Sequence, residues 1–179
     1  MLTSSAPALA LTRLQSGIGT LIMQARCADD VGDLRLGCAY ELRSGETSAV
    51  QRGDGTALAP RGSAHPVIVA RSGRYDQISV DLRQCGEVER LIVYGYSEQG
   101  VVLSWGGALV VTTAGGARIE VPLGGAPSCG VRVILSLYNV RGEFVLRSEM
   151  ETVDGSVRDA CLAYGFDRIT WLDGRTPLS

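Results

Sequence analysis

Apolar and polar residues alternate along several short segments of the chain, with the two-residue period of a β-strand. The clearest segment is Asp33–Leu42. Successive side chains of a strand point to opposite faces of a sheet, so one set should face a core and the other solvent. The predicted core set is Leu34, Leu36, Cys38, Tyr40 and Leu42, and the predicted solvent set is Asp33, Arg35, Gly37, Ala39 and Glu41.

Further apolar runs predict the rest of a β-rich fold. Val131–Val140 is almost entirely apolar, which indicates a central strand covered on both faces. Ala108–Thr113 and Arg118–Leu123 flank paired glycines, a pattern typical of a hairpin. Residues 51–66 are rich in glycine and proline and predict a loop. Other strands are predicted at Thr20–Ala25, Val67–Ala70, Gln77–Leu82, Val88–Tyr96, Glu143–Met150 and Ile169–Leu172.

One segment near the C-terminus has the period of an amphipathic helix. Asp154 is predicted to cap its N-terminus and Gly165 to end it. Its apolar stripe consists of Val157, Ala160, Cys161 and Tyr164. About nine strands with one short C-terminal helix predict a mostly-β fold, a two-sheet β-sandwich, with a partly open barrel as the alternative.

The N-terminal residues differ from the rest in composition. Residues 1–18 are small, polar and without a period, and we expect a flexible N-terminal arm. Residues 19–179 are expected to form a single domain, because nothing along them marks a boundary.

Charge and composition narrow the partners. The formal net charge is −2, and no basic block is present that would attract a phosphate backbone, so nucleic acid is not an expected partner. Gln99–Ala117 lacks charge but is broken by glycines, which favours two buried strands over a membrane helix. Without a basic leader before the apolar N-terminal stretch, we expect a cytoplasmic protein that does not insert into the membrane.

The chain offers little for catalysis. The five cysteines include no CxxC pair, and we expect them to be buried, reduced and packed like small apolar residues. His65, the one histidine, would be the only imidazole base for a serine or cysteine nucleophile, yet no nucleophile motif occurs. The cysteine spacing does not suit zinc, and no phosphate-binding loop or dinucleotide-binding motif is found. We therefore expect a protein that is not an enzyme.

Arginines concentrate in one segment of the chain. Residues 51–76 hold four of the 17 basic residues, all of which are arginine. A module that binds a small anionic ligand or a residual metal through this segment is one functional alternative. Its candidate ligand-binding residues are Arg52, Arg61, His65, Arg71 and Arg74.

Several motifs resemble the TerD-domain family of tellurium-resistance proteins, and most closely a TerA-like actinobacterial branch. Asp33–Leu42 followed by Val50-Gln51 is similar to the early strand of that branch. Ile78–Leu82 followed by Val88–Tyr94 resembles the central strands of the family. Arg118–Leu123, Glu143–Met150, Tyr164–Phe166 and Trp171 are similar to its later segments, so that the resemblance covers roughly residues 20–172.

The resemblance implies a two-sheet β-sandwich linked to tellurite resistance and general stress response, acting with protein partners in a multi-protein assembly. It also implies calcium binding through an acid-rich loop, but this chain departs from the family pattern there. Arg35 replaces the second acid of the early strand, and Arg74-Tyr75 replaces a tandem acidic pair. Asp33 and Asp76 are left as vestigial calcium candidates, and the nearby arginines should repel a dication. We expect calcium binding to be weak or absent, with no other cofactor.

The leading hypothesis is a non-enzymatic stress-response protein that serves as an interaction module or scaffold, with a degenerate calcium site. The partner and the tellurium chemistry have no signature of their own in the sequence. An exposed edge strand leaves assembly with copies of itself or with other chains open.

Overall fold

The computed structural model describes residues 1–3, 5–51, 57–73 and 75–178, and it is a two-sheet β-sandwich with a short C-terminal helix. The first sheet contains β1 Ala8–Ala10, β3 Leu34–Leu42, β4 Thr47–Gln51, β8 Val88–Ser97, β11 Val131–Val140 and β12 Glu143–Val153. The second contains β2 Thr20–Arg26, β5 Leu58–Ala59, β6 Ile68–Arg71, β7 Gln77–Asp81, β9 Ala108–Thr112 and β10 Arg118–Pro122. The helices are α1 Arg13–Gly17 and α2 Val157–Ala163, and 3-10 turns cover Asp29–Val31 and Leu82–Glu87.

All neighbouring strands pair antiparallel. The first sheet has the order β1-β12-β11-β8-β3-β4, and the second β10-β9-β2-β7-β6-β5. The main apolar core lies between the sheets and includes four residues of the predicted core set in β3, and the fifth, Leu34, is partly buried and packs against it. The predicted hairpin of β9 and β10 is confirmed by pairs such as Val110 with Glu120.

A second apolar cluster lies on the opposite side of the first sheet, where α2 and the C-terminal segment cover it. Gly37 and Ala39 belong to the set predicted to face solvent, and that prediction is wrong, because both are buried on this covered face. Gly37 packs so closely that an added Cβ would lie 2.3 Å from the ring of Tyr94. The same layer explains why β11 is buried on both faces, as its apolar sequence predicts.

The cap of α2 differs from the predicted one. Ser156, not Asp154, is the N-cap: its hydroxyl accepts a hydrogen bond from the Asp159 backbone N–H at 3.3 Å. The Asp159 carboxylate in turn accepts from the Ser156 backbone N–H at 2.8 Å, which completes a capping box. Gly165 ends the helix at a positive φ of 75°, as predicted.

The described part of the predicted N-terminal arm, residues 1–3 and 5–18, contains two short elements of secondary structure. They are β1, which pairs with β12, and α1, whose Thr12 and Gln15 make a capping box. Leu11 is buried in the main core. Ser16 is fully buried, and its hydroxyl accepts a hydrogen bond from the Phe144 backbone N–H at 3.0 Å.

Two further predictions differ from the structure at the level of single elements. Ile169–Leu172 is not a strand, and only Trp171 forms an isolated bridge, with Pro177. The predicted loop at 51–66 contains the two-residue strand β5. Within the described part of the chain, no helix has the length and apolar character needed to cross a membrane.

Candidate functional site

Asp33, one of the two calcium candidates, fastens the loop that follows β8. Its carboxylate accepts hydrogen bonds from the Ser97 hydroxyl at 2.6 Å and from the Gln99 backbone N–H at 2.7 Å. The Ser97 hydroxyl accepts from the Val101 backbone N–H at 2.8 Å, which continues the network into the loop. Asp33 therefore satisfies backbone and hydroxyl donors at the end of a strand, as a structural carboxylate does.

Asp76, the other candidate, joins the two sheets. Its side chain accepts a hydrogen bond from the Leu36 backbone N–H of β3 at 3.1 Å, and its carbonyl accepts from the Ala25 backbone N–H of β2 at 3.3 Å. The residue is buried. It also lines a cleft of ≈ 190 Å³ together with Arg35 and Tyr75.

The acidic residues that the structure describes do not gather into a set that fits calcium. A calcium ion takes six to eight oxygen ligands. Among the described residues, no three His, Cys, Asp or Glu side chains lie together in a metal-binding group. Arg35, which lines the cleft beside Asp76, pairs with Glu98 at 3.1 Å. Weak or absent calcium binding at Asp33 and Asp76 stays a prediction, which a calcium titration tests.

The described candidate ligand-binding residues of the 51–76 segment do not share one cleft. Arg52 and Arg74 fall outside the described residues. His65 lines a cleft of ≈ 390 Å³, whereas Arg71 lines a different cleft of ≈ 290 Å³. Arg61 is exposed and lines neither of these two clefts. Of the described candidates, His65, Arg61 and Arg71 therefore do not line one common cleft, although Arg83 lines the clefts of both His65 and Arg71.

The cleft beside Arg71 belongs to a larger surface, the outward side of the second sheet, which we call the open face. Alternation along the strands places these side chains opposite the core residues, and neither apolar cluster includes them. The open face consists of Thr20, Ile22, Gln24, Arg26, Val69, Arg71, Gln77, Ser79, Asp81, Ala108, Val110, Thr112, Arg118, Glu120 and Pro122.

The charged residues of the open face fall into two kinds. Asp81 pairs with Arg83 at 2.9 Å, and Glu120 pairs with Arg118 at 2.6 Å. The hydrogen bonds from the Arg83 guanidinium lower the pKa of Asp81 to about 2. The carboxylates of the face are thus already neutralised by arginines.

Arg26 and Arg71 are the other kind. Both are exposed, and neither forms an ion pair with the described residues. Among the residues that the structure describes, the Arg26 guanidinium donates only to the side-chain oxygen of Gln24, at 3.2 Å. The open face therefore presents two arginines whose charge no carboxylate of the described chain compensates.

The cysteines do not behave as one class. Cys38 and Cys161 are buried, and burial raises the pKa of the Cys161 thiol to about 12 and that of Cys38 still further. Burial also raises the pKa of Cys27 to about 11. Cys129 is exposed, so the expectation that all five are buried is wrong. Cys129 lies in the turn that precedes β11, where no core packs on it.

The open face is not evident from the sequence, because the alternation of a strand identifies its core side and leaves the role of its outward side open. The alternation of β2 and β7 places Ile22 and Ser79 opposite the core, yet the sequence does not show which outward faces another element covers. Arg71 is predicted only as a candidate ligand-binding residue of the 51–76 segment. Arg26 was not considered at all.

Searches of protein-family models and of curated proteins find no match to this chain.

Proposed function

We propose that the protein is a non-enzymatic interaction module of a cytoplasmic stress response, as its resemblance to tellurium-resistance proteins implies. One observation carries the proposal. The outer side of the first sheet is covered by α2, whereas the open face of the second sheet has neither apolar cluster on it.

An uncovered face alone is ordinary, because antiparallel sheets often keep one side in water. The composition of this face is what favours a binding role. Ile22 and Val69 are only half-buried, and they lie on either side of Ser79 in one row across three strands. A partly apolar centre with charged residues at its margin is the usual arrangement of a protein-binding surface.

Photo-crosslinking in the source organism tests the proposal. A crosslinking amino acid replaces Gln24 on the open face, and in the matched control it replaces Arg158 on the exposed side of α2. During tellurite stress, we expect one defined protein adduct from position 24 and none from position 158. Adducts from neither position, with the wild-type chain purifying alone, would contradict an interaction function.

A second candidate function is binding of a small anion, and one observation favours it. His65 and Arg83 line the same cleft of ≈ 390 Å³. A thermal-shift screen with inorganic phosphate tests this, since a ligand that binds only the folded state raises the melting temperature. A rise that His65→Ala abolishes would support anion binding, and no rise would exclude phosphate as the ligand.

A further inference from the structure

We propose that the open face binds an acidic, extended segment of a partner protein, with Arg26 and Arg71 as the residues that select its charge. This inference rests on the proposed interaction function and adds the chemistry of the partner. Three features of the open face support it: its charge, the spacing of the two arginines, and the apolar row beside them.

The open face carries an excess of positive charge, whereas the chain as a whole is negative. The chain carries a formal net charge of −2. On the open face, Asp81 and Glu120 are each held by an arginine, so that the charges left over are those of Arg26 and Arg71. A negatively charged protein with a locally positive face attracts acidic groups to that face and repels them elsewhere.

The sheet fixes the spacing of the two arginines. Arg71 pairs with Gln77, which lies in β7, and Gln77 pairs with Gln24 of β2. Arg26 follows Gln24 by two residues on the same strand. Two inter-strand steps of about 4.8 Å and one two-residue step of about 6.6 Å place the two Cα atoms roughly 12 Å apart. An extended chain reaches that distance in about four residues.

The apolar row lies beside the arginines. Val69 is two residues from Arg71 on β6, and Ile22 is two residues from Gln24 on β2. Ser79 lies between them, paired with both. The surface therefore matches a segment that has two acidic residues about four residues apart and an apolar side chain that contacts Ile22 and Val69.

Calorimetric titration with poly-L-glutamate tests the selection of charge. The test variant is Arg26→Glu combined with Arg71→Glu, and the matched control is Arg13→Glu combined with Arg158→Glu. The control residues are exposed on α1 and α2 and form no ion pair with the described residues, and both variants change the net charge equally. We expect the test variant to bind about tenfold more weakly or worse than the control, and added salt to weaken binding of both.

The inference would be overturned if the wild-type chain does not bind poly-L-glutamate, or if the two variants lose affinity for it equally. It would also be overturned if a single-stranded oligonucleotide binds as tightly as poly-L-glutamate, because that would indicate a general polyanion surface. Circular dichroism of both variants checks that they fold.

The crosslinking experiment separates this inference from the function it rests on. A partner captured at position 24 by the wild-type chain and equally by the Arg26→Glu, Arg71→Glu variant would keep the interaction function and overturn the acidic partner. Absence of any adduct would remove the interaction function, and the poly-L-glutamate titration would then decide the chemistry of the face by itself.

Discussion

Replacing Asp76 with alanine tests whether this carboxylate is part of the framework of the sandwich. The side chain is 8% exposed and accepts the Leu36 backbone N–H across the gap between the sheets. Hydrogen bonds to charged groups contribute about 1.5–3 kcal/mol, and the substitution leaves a buried N–H without a partner. We therefore expect Asp76→Ala to lower the free energy of unfolding by about 2 kcal/mol. For a chain of this length, that corresponds to a fall in melting temperature of about 4–8 °C.

The assay is urea unfolding followed by circular dichroism, with Asp154→Ala as the matched control. Asp154 is exposed and makes no side-chain hydrogen bond within the described residues, so its loss should change stability by less than about 0.5 kcal/mol. Asp76→Asn, which keeps an oxygen acceptor, should fall between the two. The slope of the unfolding transition should not change, because the surface exposed on unfolding is the same.

Two results would refute this reasoning about Asp76. Equal stability of Asp76→Ala and Asp154→Ala would mean that the inter-sheet hydrogen bond contributes nothing measurable. A calcium-dependent rise in the melting temperature of the wild-type chain that Asp76→Ala abolishes would mean that the carboxylate is a metal ligand. The second result would also overturn the expectation of weak or absent calcium binding.

Three further predictions concern single positions. Arg132 is 5% exposed, donates to the carbonyls of the loop before β11, and its guanidinium lies 4.2 Å from the centre of the Trp105 ring. Arg132→Met should therefore lower the free energy of unfolding in urea by about 2 kcal/mol, and a decrease below about 0.5 kcal/mol would contradict this. Arg141 has a φ of 56° in a two-residue hairpin turn, so Arg141→Asn should stabilise the protein by about 0.5 kcal/mol, and destabilisation would argue against the turn geometry. The pKa of Asp81 is lowered to about 2 in the folded protein, against about 3.9 for an ordinary Asp side chain. The ionised carboxylate therefore stabilises the fold fully at pH values above about 3.9, and this stabilisation is lost as the pH falls toward 2. Stability curves of wild type and Asp81→Asn should therefore converge across that range, and parallel curves would contradict the pairing.

The sequence was sufficient for most of the longer strands, because a two-residue period or a continuous apolar run marks them. Val131–Val140 was predicted with the bounds it has in the structure, since its continuous apolar run leaves no other interpretation. The short edge strands β4 and β5 were missed. β5 has two residues, and its Ala59 is held by the neighbouring β6, which no local pattern records.

The errors share a physical cause, which is that tertiary contacts decide what a local pattern leaves open. Gly37 and Ala39 are predicted to face solvent because they alternate with the core set, yet α2 and Tyr94 pack over that side of the strand. The N-terminal residues look aperiodic because Leu2 and Leu11 enter the core singly, between short elements. Asp154 and Ser156 are both good N-caps, and the position of Asp159 three residues after Ser156 decides between them.

The candidate site was predicted less well than the fold. Asp33 and Asp76 are predicted as vestigial calcium candidates, and the hydrogen-bond partners that the structure gives them include Gln99 and Leu36, both remote in sequence. The open face could not be predicted at all, because it depends on which of two sheets receives the C-terminal helix.

Methyl NMR during titration with poly-L-glutamate shows directly whether the open face is the binding surface. Ile22 and Val69 report on the open face, and Ile169, buried in the second apolar cluster on the other side of the molecule, is the internal control. We predict that the Ile22 and Val69 methyl signals move in a saturable way while that of Ile169 stays in place. Movement of Ile169 with Ile22 and Val69 unchanged would place binding on the first sheet and contradict the account.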